Sequence, residues 1–311
     1  MLKNTGLHIK KVLSRSNIEK PDLEAKRLIE AVTGVDSADF IAYPDKEISQ
    51  EHIEQINAYV ERRLKGEPLS KILGVKEFWG LEFIVNEYVL DPRPDTETLI
   101  ECVLDWVKSK HVIARNDSDE AIQNAGNGLR RSVPSLAMTE ELKILDLGTG
   151  TGCIPLTLLS ELPSAMAIAV DISEEALDIA RQNAEKHKLS DRIELRQGNW
   201  FEGLEGKMFD IITSNPPYIP DSDIPILSKE VKNHDPIMAL SGGDSGLEAY
   251  KKIFLSLNKH LKRDGRAFFE IGQNQLNDIT RLVDESNLLL CDSRADIAGI
   301  PRVVEISCGD K

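Results

Sequence analysis

The residues of this chain best suited to chemistry are Asn215-Pro216-Pro217-Tyr218. They follow an apolar, strand-like run, Phe209 to Ser214, so their polar groups emerge at the carboxyl edge of a sheet, where open α/β folds bind ligands. The Asn side chain offers a carbonyl acceptor. Two prolines remove two backbone N–H donors yet keep their carbonyls, so the stretch is a cluster of acceptors, with Tyr218 adding an aromatic face. A planar NH2 group suits such a site. An amide or exocyclic amine can donate both hydrogens there, which fixes its plane and leaves the nitrogen facing an electrophile. Taken alone, the stretch reads equally well as a strand that ends in a proline turn.

A second stretch decides between these readings. Leu145-Asp146-Leu147-Gly148-Thr149-Gly150-Thr151-Gly152 joins an apolar strand to a helix, and its three alternating glycines let backbone pass close to a ligand without Cβ contacts. Asp171 ends the next strand, where a carboxylate can accept both hydroxyls of a ribose. The dinucleotide fingerprint G-x-G-x-x-G competes for this loop but fails at its third glycine, because Cys153 stands there and Gly152 comes one residue early. The spacing resembles motif I of class I S-adenosylmethionine-dependent methyltransferases. That resemblance implies a glycine loop against the methionine moiety and an acid on the ribose.

The elements that position these groups form two parts. The 311 residues are 41% hydrophobic, enough for one large core and a smaller domain. Residues 1–72 read as helices: Pro21 opens one with Leu23, Leu28, Ile29 and Val32, while Ile53, Ile56, Val60 and Leu64 mark another that Gly66 stops. This part holds no cluster of nucleophile, base or metal ligands, so docking is its expected role. Residues 73–92 are rich in aromatic and β-branched residues between Gly74 and Gly80 and read as a β-hairpin linker. In Asp91 to Glu97 two prolines force an extended entry, and Asp95 or Thr96 is expected to cap the following helix. Arg93, held between the prolines, can fix a carboxylate or carbonyl of a substrate. Residues 111–140 are polar and patternless and read as a surface insertion. From Leu142 strands alternate with helices, a doubly wound α/β domain over 93–311 with about seven strands. Glu270 ends a late strand near the same edge, where it reads either as a proton acceptor for the site or as a solvated or cap-bonded carboxylate.

Net charge of −14 argues against a protein that grips a nucleic-acid backbone over a broad surface and suits a basic protein partner. Cys102, Cys153, Cys291 and Cys308 lack metal or disulfide spacing and read as reduced core thiols in a cytoplasmic protein. Absence of a long apolar run removes membrane and export readings.

Four further stretches narrow the resemblance: Arg63-Leu64-Lys65-Gly66-Glu67-Pro68-Leu69, Gly74-Val75-Lys76-Glu77-Phe78-Trp79, Pro92-Arg93-Pro94-Asp95-Thr96-Glu97, and Asn199-Trp200-Phe201. With the glycine loop and N-P-P-Y they resemble bacterial release factor protein-(glutamine-N5) methyltransferases, over nearly the whole chain outside 111–140. The resemblance implies a seven-stranded, Rossmann-like methyltransferase domain behind a helical domain that engages peptide chain release factors. It further implies transfer from S-adenosylmethionine to the glutamine of a Gly-Gly-Gln tip, with no metal. Gly148, Thr149, Gly150, Thr151, Gly152 and Asp171 would bind the cofactor, Trp200 would lie by the adenine, and Asn215, Pro216, Pro217 and Tyr218 would hold the amide. The sequence departs from the family pattern at Asn199, where an acid is expected, at Asp91, where an aliphatic residue is expected, and in the insertion. Two rivals remain. A nucleic-acid adenine-N6 methyltransferase shares the amino-group problem but should carry a basic groove, and a catalytically silent binding module would not need Asn215.

Overall fold

The computed structural model describes residues 1–16, 18–123 and 141–309. Two compact units share them: residues 1–75, 85–87 and 227–235 in one, and 76–84, 88–226 and 236–311 in the other.

The smaller unit is built on helices Leu2–Arg15, Pro21–Thr33, Ser37–Ala42, Gln50–Leu64 and Leu69–Leu73. Pro21 sits where its missing N–H costs nothing, and the Ser49 hydroxyl accepts from the His52 N–H to cap the fourth helix. Leu2, Ile9, Leu13, Leu28, Ile29, Ile56 and Val60 close its core. Leu23 and Leu64, expected on apolar faces, are exposed. Ile56, Val60 and Arg63 share one helical stripe, and Leu64 lies about 100° beyond it, because the helix turns by that angle per residue. A charge occupies the buried place: Arg63 donates to Glu24 at 2.7 and 3.2 Å, meets Glu230 at 2.8 Å and donates to the Glu67 carbonyl at 3.1 Å. This side chain ties two helices to the segment 227–235 of the same unit.

In the larger unit, the strands β1 (Val75–Phe78) and β2 (Leu81–Ile84) form a two-stranded sheet. Their two-residue turn, Trp79-Gly80, has both φ angles positive, the twist that suits a tight hairpin. Phe78 and Phe83 pack into the core of the larger unit with Leu99, Ile100 and Val103, so these two strands are packed onto the larger unit as well as paired with each other. Seven strands follow: β3 (Lys143–Leu147), β4 (Met166–Asp171), β5 (Ile193–Gln197), β6 (Phe209–Ser214), β7 (Leu261–Glu270), β8 (Leu288–Ala295) and β9 (Pro301–Cys308). Their order is β5-β4-β3-β6-β7-β9-β8, parallel through β7, with β9 antiparallel to both neighbours. The doubly wound sheet of the sequence reading is therefore present. β6 is buried at every position, as a parallel strand covered on both faces must be. Chain order reverses between β3 and β6, where Leu147 pairs with Ser214, so the glycine loop and Asn215 leave the sheet side by side.

Two expectations are corrected. The backbone of helix Glu97–Gln123 runs through the first part of the expected insertion, because no Gly or Pro interrupts the chain before Gly126. Residues 124–140 lie outside the described residues. Of the cysteines, Cys102 and Cys153 are core thiols that burial pushes up to about 12, whereas Cys308 is half-buried and Cys291, on the edge strand β8, is exposed. Among the described residues, no helix is long and apolar enough to cross a membrane.

Candidate active site

A cavity of about 620 Å³ opens at the carboxyl ends of β3, β4 and β6, within the size range of small-molecule sites. The glycine loop forms one wall. Gly148, Gly150 and Gly152 all have positive φ, the region where a side chain is strained. Gly152 is constrained twice, since a Cβ there would meet Leu156 at 3.1 Å and Ala180 at 3.3 Å. The loop is pinned from below: the Gly148 and Thr149 N–H groups donate to the Val170 carbonyl at 2.8 and 3.0 Å. Asn183, fully buried, reaches the Thr151 carbonyl at 2.9 Å and bonds both backbone groups of Ile84, which fixes β2 against the loop.

Asp171 stands at the end of β4 and does two local jobs. Its Oδ2 accepts from the Gly150 N–H at 2.8 Å, and its Oδ1 accepts from the Ser173 N–H at 3.0 Å. Burial raises its pKa, and the backbone donors offset part of that rise. Each oxygen keeps a second lone pair, and Asp171 lines the cavity. Asp146 lies beneath, fully buried, with Oδ1 accepting from the Thr213 hydroxyl at 2.7 Å; desolvation pushes its carboxyl up to about 6. Trp200, half-buried with a φ of 56°, sets its ring against the loop, about where a Cβ on Gly148 would lie 3.7 Å away. Asn199, Asp91 and Arg93 also line the cavity; Asn199 is exposed and Asp91 buried.

Beside the loop, Asn215 and Pro217 also line the cavity. Asn215 Nδ2 donates to Thr96 Oγ1 at 3.2 Å, and Thr96 in turn donates to Glu270 Oε2 at 2.5 Å. Tyr218 Oη donates to the other carboxylate oxygen at 3.2 Å. Pro216 and Tyr218 are not part of the cavity wall: Pro216 is buried, and Tyr218 is held by its hydroxyl bond and by its carbonyl, which accepts from Gln275 Nε2 at 3.0 Å. The sheet thus brings Gly148, Thr149, Gly150, Thr151, Asp171, Trp200, Asn215, Pro217 and Arg93 to one cavity, while Gly152 packs away from it against Leu156 and Ala180.

Two side chains make contacts that sequence reasoning did not give them. Thr96 does not cap its helix; a three-residue 3-10 turn, Pro94–Thr96, swings its hydroxyl inward to Glu270. Glu270 is neither solvated nor a cap. It is 1% exposed, and desolvation pushes its carboxyl up to about 7, against the opposing effects of the Thr96 bond and the Arg302 charge. The available signal was one acid closing an otherwise apolar strand, Phe268-Phe269-Glu270-Ile271.

Known proteins match this chain in sequence and in fold. The PrmC N-terminal domain family matches residues 7–74, and the methyltransferase domain family matches residues 138–283. The hMettl16 catalytic domain, solved in complex with MAT2A 3'UTR hairpin 6, superposes with a TM-score of 0.54 at 16% identity, covering 89% of this chain and 94% of that one, which establishes likeness of fold. Sheet order, glycine loop and matched domain together define a class I S-adenosylmethionine-dependent methyltransferase. The release factor glutamine methyltransferase of Agrobacterium fabrum is 38% identical over 295 residues, covering 95% of this chain and 93% of that protein. That of Bradyrhizobium diazoefficiens is 36% identical, covering 94% and 90%. The chain belongs to the release factor glutamine methyltransferase family. It is also 38% identical to the bifunctional methyltransferase of Rickettsia bellii and spans 52% of that protein's length.

The cavity residues fit S-adenosylmethionine. An acid with free lone pairs suits the ribose, an aromatic ring beside the loop suits a base, and the glycine turn leaves room for the amino-acid end.

Proposed function

We propose that the chain methylates the side-chain amide nitrogen (N5) of the glutamine in the Gly-Gly-Gln motif of peptide chain release factors. The observation that carries this reading is Asn215. Its NH2 end is committed to Thr96, which leaves Oδ1 as an acceptor at the cavity wall.

An amide nitrogen is a poor nucleophile because its lone pair is delocalised into the carbonyl. Asn215 Oδ1 takes an N–H of the substrate amide, fixes its plane and stabilises the positive charge that grows on nitrogen, whereas Pro216, expected to accept the second N–H, does not line the cavity. Pro217 shapes the wall beside Asn215, and Arg93 holds a backbone carbonyl of the substrate loop. Gly148, Thr149, Gly150 and Thr151 cradle the amino-acid end of the cofactor, Asp171 accepts from its ribose, and Trp200 lies along its adenine. S-adenosylmethionine, when bound, supplies an electrophilic methyl group. The N-methylated amide cation is strongly acidic and loses its proton after transfer.

A planar amide and an adenine amine present the same two hydrogens, so discrimination lies elsewhere. Residues 1–72 supply it, as a docking surface for the factor. The chain's 52 acidic against 38 basic residues attract a basic partner, so kcat/KM falls as salt rises. The decisive test incubates the protein and labelled S-adenosylmethionine with release factor and with DNA in parallel. Label on the Gly-Gly-Gln peptide supports the reading; label on DNA adenine, with release factor inert, overturns it.

A further inference from the structure

We propose that Glu270, acting through Thr96, sets which end of the Asn215 side-chain amide faces the substrate, so that Glu270 is a positioning residue for methyl transfer. The inference rests on the amide reading of Asn215 given above.

A carboxylate only accepts. With Glu270 ionised, Thr96 must spend its single hydrogen on Oε2, and Tyr218 spends its own on Oε1. The Thr96 oxygen is then left with lone pairs alone, and the neighbour that can satisfy it is the NH2 of Asn215, at 3.2 Å. Asn215 Oδ1 therefore turns to the cavity. The order reverses if Glu270 carries a proton. That proton can be donated to Thr96 Oγ1, which frees the Thr96 hydrogen to point at Asn215. Asn215 is then satisfied by turning its Oδ1 to Thr96 and its NH2 to the cavity, where it repels the N–H groups of an incoming amide. One proton at Glu270 exchanges an acceptor for a donor at the wall.

The surroundings hold this chain in one arrangement. Glu270 is fully enclosed, and its backbone carbonyl accepts from Tyr250 Oη at 2.7 Å, which fixes the end of β7. The charged and titratable groups around it are Asp95 beside Thr96, Arg302 on β9, Tyr218 after β6, Tyr250 on helix Glu248–Leu257 and Cys153 at the start of helix Cys153–Glu161. Arg302 favours the ionised carboxylate, while burial and Asp95 oppose it. Arg302 is itself bonded to Asp296 at 2.9 Å and Asp95 at 3.3 Å, so Glu270 has the two hydroxyls, not a direct ion pair, to hold its charge. Such a carboxylate can change its protonation near neutral pH, where a glutamine amide does not titrate.

Two variants and two readouts test this. In wild type, kcat for release factor should fall on the acid side with a midpoint near 7, while cofactor Kd stays level. Glu270→Gln should lower kcat by roughly tenfold or more, the lower end for losing one positioned group. It should also abolish the acid limb, with cofactor Kd within about twofold. Thr96→Val should reproduce the loss of kcat, and Thr96→Ser, which keeps the hydroxyl, should restore most of it. A role in packing alone would lower melting temperature without flattening the pH profile. The second readout needs no substrate: the Asn215 side-chain NH2 signals in a 15N-correlated spectrum should shift with pH in wild type and stay fixed in Glu270→Gln. Should release factor not be methylated at all, the functional reading fails, and the spectrum still decides the positioning chain. An acid limb that persists in Glu270→Gln, or Asn215 signals indifferent to pH in wild type, overturns the inference.

Discussion

Replacing Asp171 by Ala removes two kinds of bond at once, and their sizes can be separated. Without ligand, the carboxylate accepts from the Gly150 N–H at 2.8 Å and the Ser173 N–H at 3.0 Å. A hydrogen bond to a charged group contributes about 1.5–3 kcal/mol, so losing both should cost the folded state about 3 kcal/mol, with some recovery where water reaches the freed donors. The remaining lone pairs face the cavity. If they take the ribose hydroxyls, a further loss of about 2 kcal/mol appears in binding, which is roughly a 30-fold rise in Kd for S-adenosylmethionine at about 1.4 kcal/mol per decade. Asp171→Asn should be nearly as harmful. Its NH2 would face either the Gly150 or the Ser173 N–H, donor against donor, so the isostere does not rescue. Urea unfolding at fixed pH measures the first loss, and calorimetric titration with S-adenosylmethionine measures the second. Weakened stability with an unchanged Kd would make Asp171 a loop pin and nothing more, and two unchanged values would refute both roles.

Other consequences are independent of that one. Asn215→Ala should cut kcat by on the order of 10²-fold with cofactor Kd little changed, as measured by single-turnover assay against titration calorimetry; near-normal turnover at saturating release factor would remove Asn215 from the transition state. Burial raises the Glu270 carboxyl to about 7, so the native state binds more protons than the unfolded chain between about pH 4.5 and 7, and stability should decline as pH rises through that window and level off above it. Urea midpoints across the range should show the slope, with Glu270→Gln removing it above about pH 6, below which Asp146, raised to about 6, adds its own. Arg63→Ala strands the Glu24 carboxylate and should destabilise the smaller unit by roughly 3 kcal/mol, raising hydrogen exchange in helix Gln50–Leu64 and in 227–235; exchange unchanged there would show that the ion pairs are not what holds them.

What the sequence made legible was whatever depends on local pattern. Most of β3 to β9 announce themselves as apolar runs between turn residues, β5 (Ile193-Glu194-Leu195-Arg196-Gln197) by alternation instead, and the glycine loop and Asn215 can be placed together because parallel alternation puts both at carboxyl ends of strands. Leu64 shows where pattern fails: it satisfies helical periodicity, yet the stripe beside it is taken by Arg63, whose partners Glu24 and Glu230 lie far off in the chain. Thr96 fails for the same reason. In a Pro-x-Thr-Glu run a threonine reads as a cap, and only the fold can show that its hydroxyl meets an acid 174 positions later. The missing information is one of partners, since a side chain's donors and acceptors are fixed by its type while the groups they satisfy are fixed by topology. Buried polar groups must be satisfied, so an isolated acid at the end of an apolar strand already implies unseen donors. Glu270 in Phe268-Phe269-Glu270-Ile271 carries that implication in the sequence itself, at the sheet edge where Asn215 emerges. The geometry supplies those donors as Tyr218 and Thr96, one to each carboxylate oxygen, and the strand pattern alone names neither.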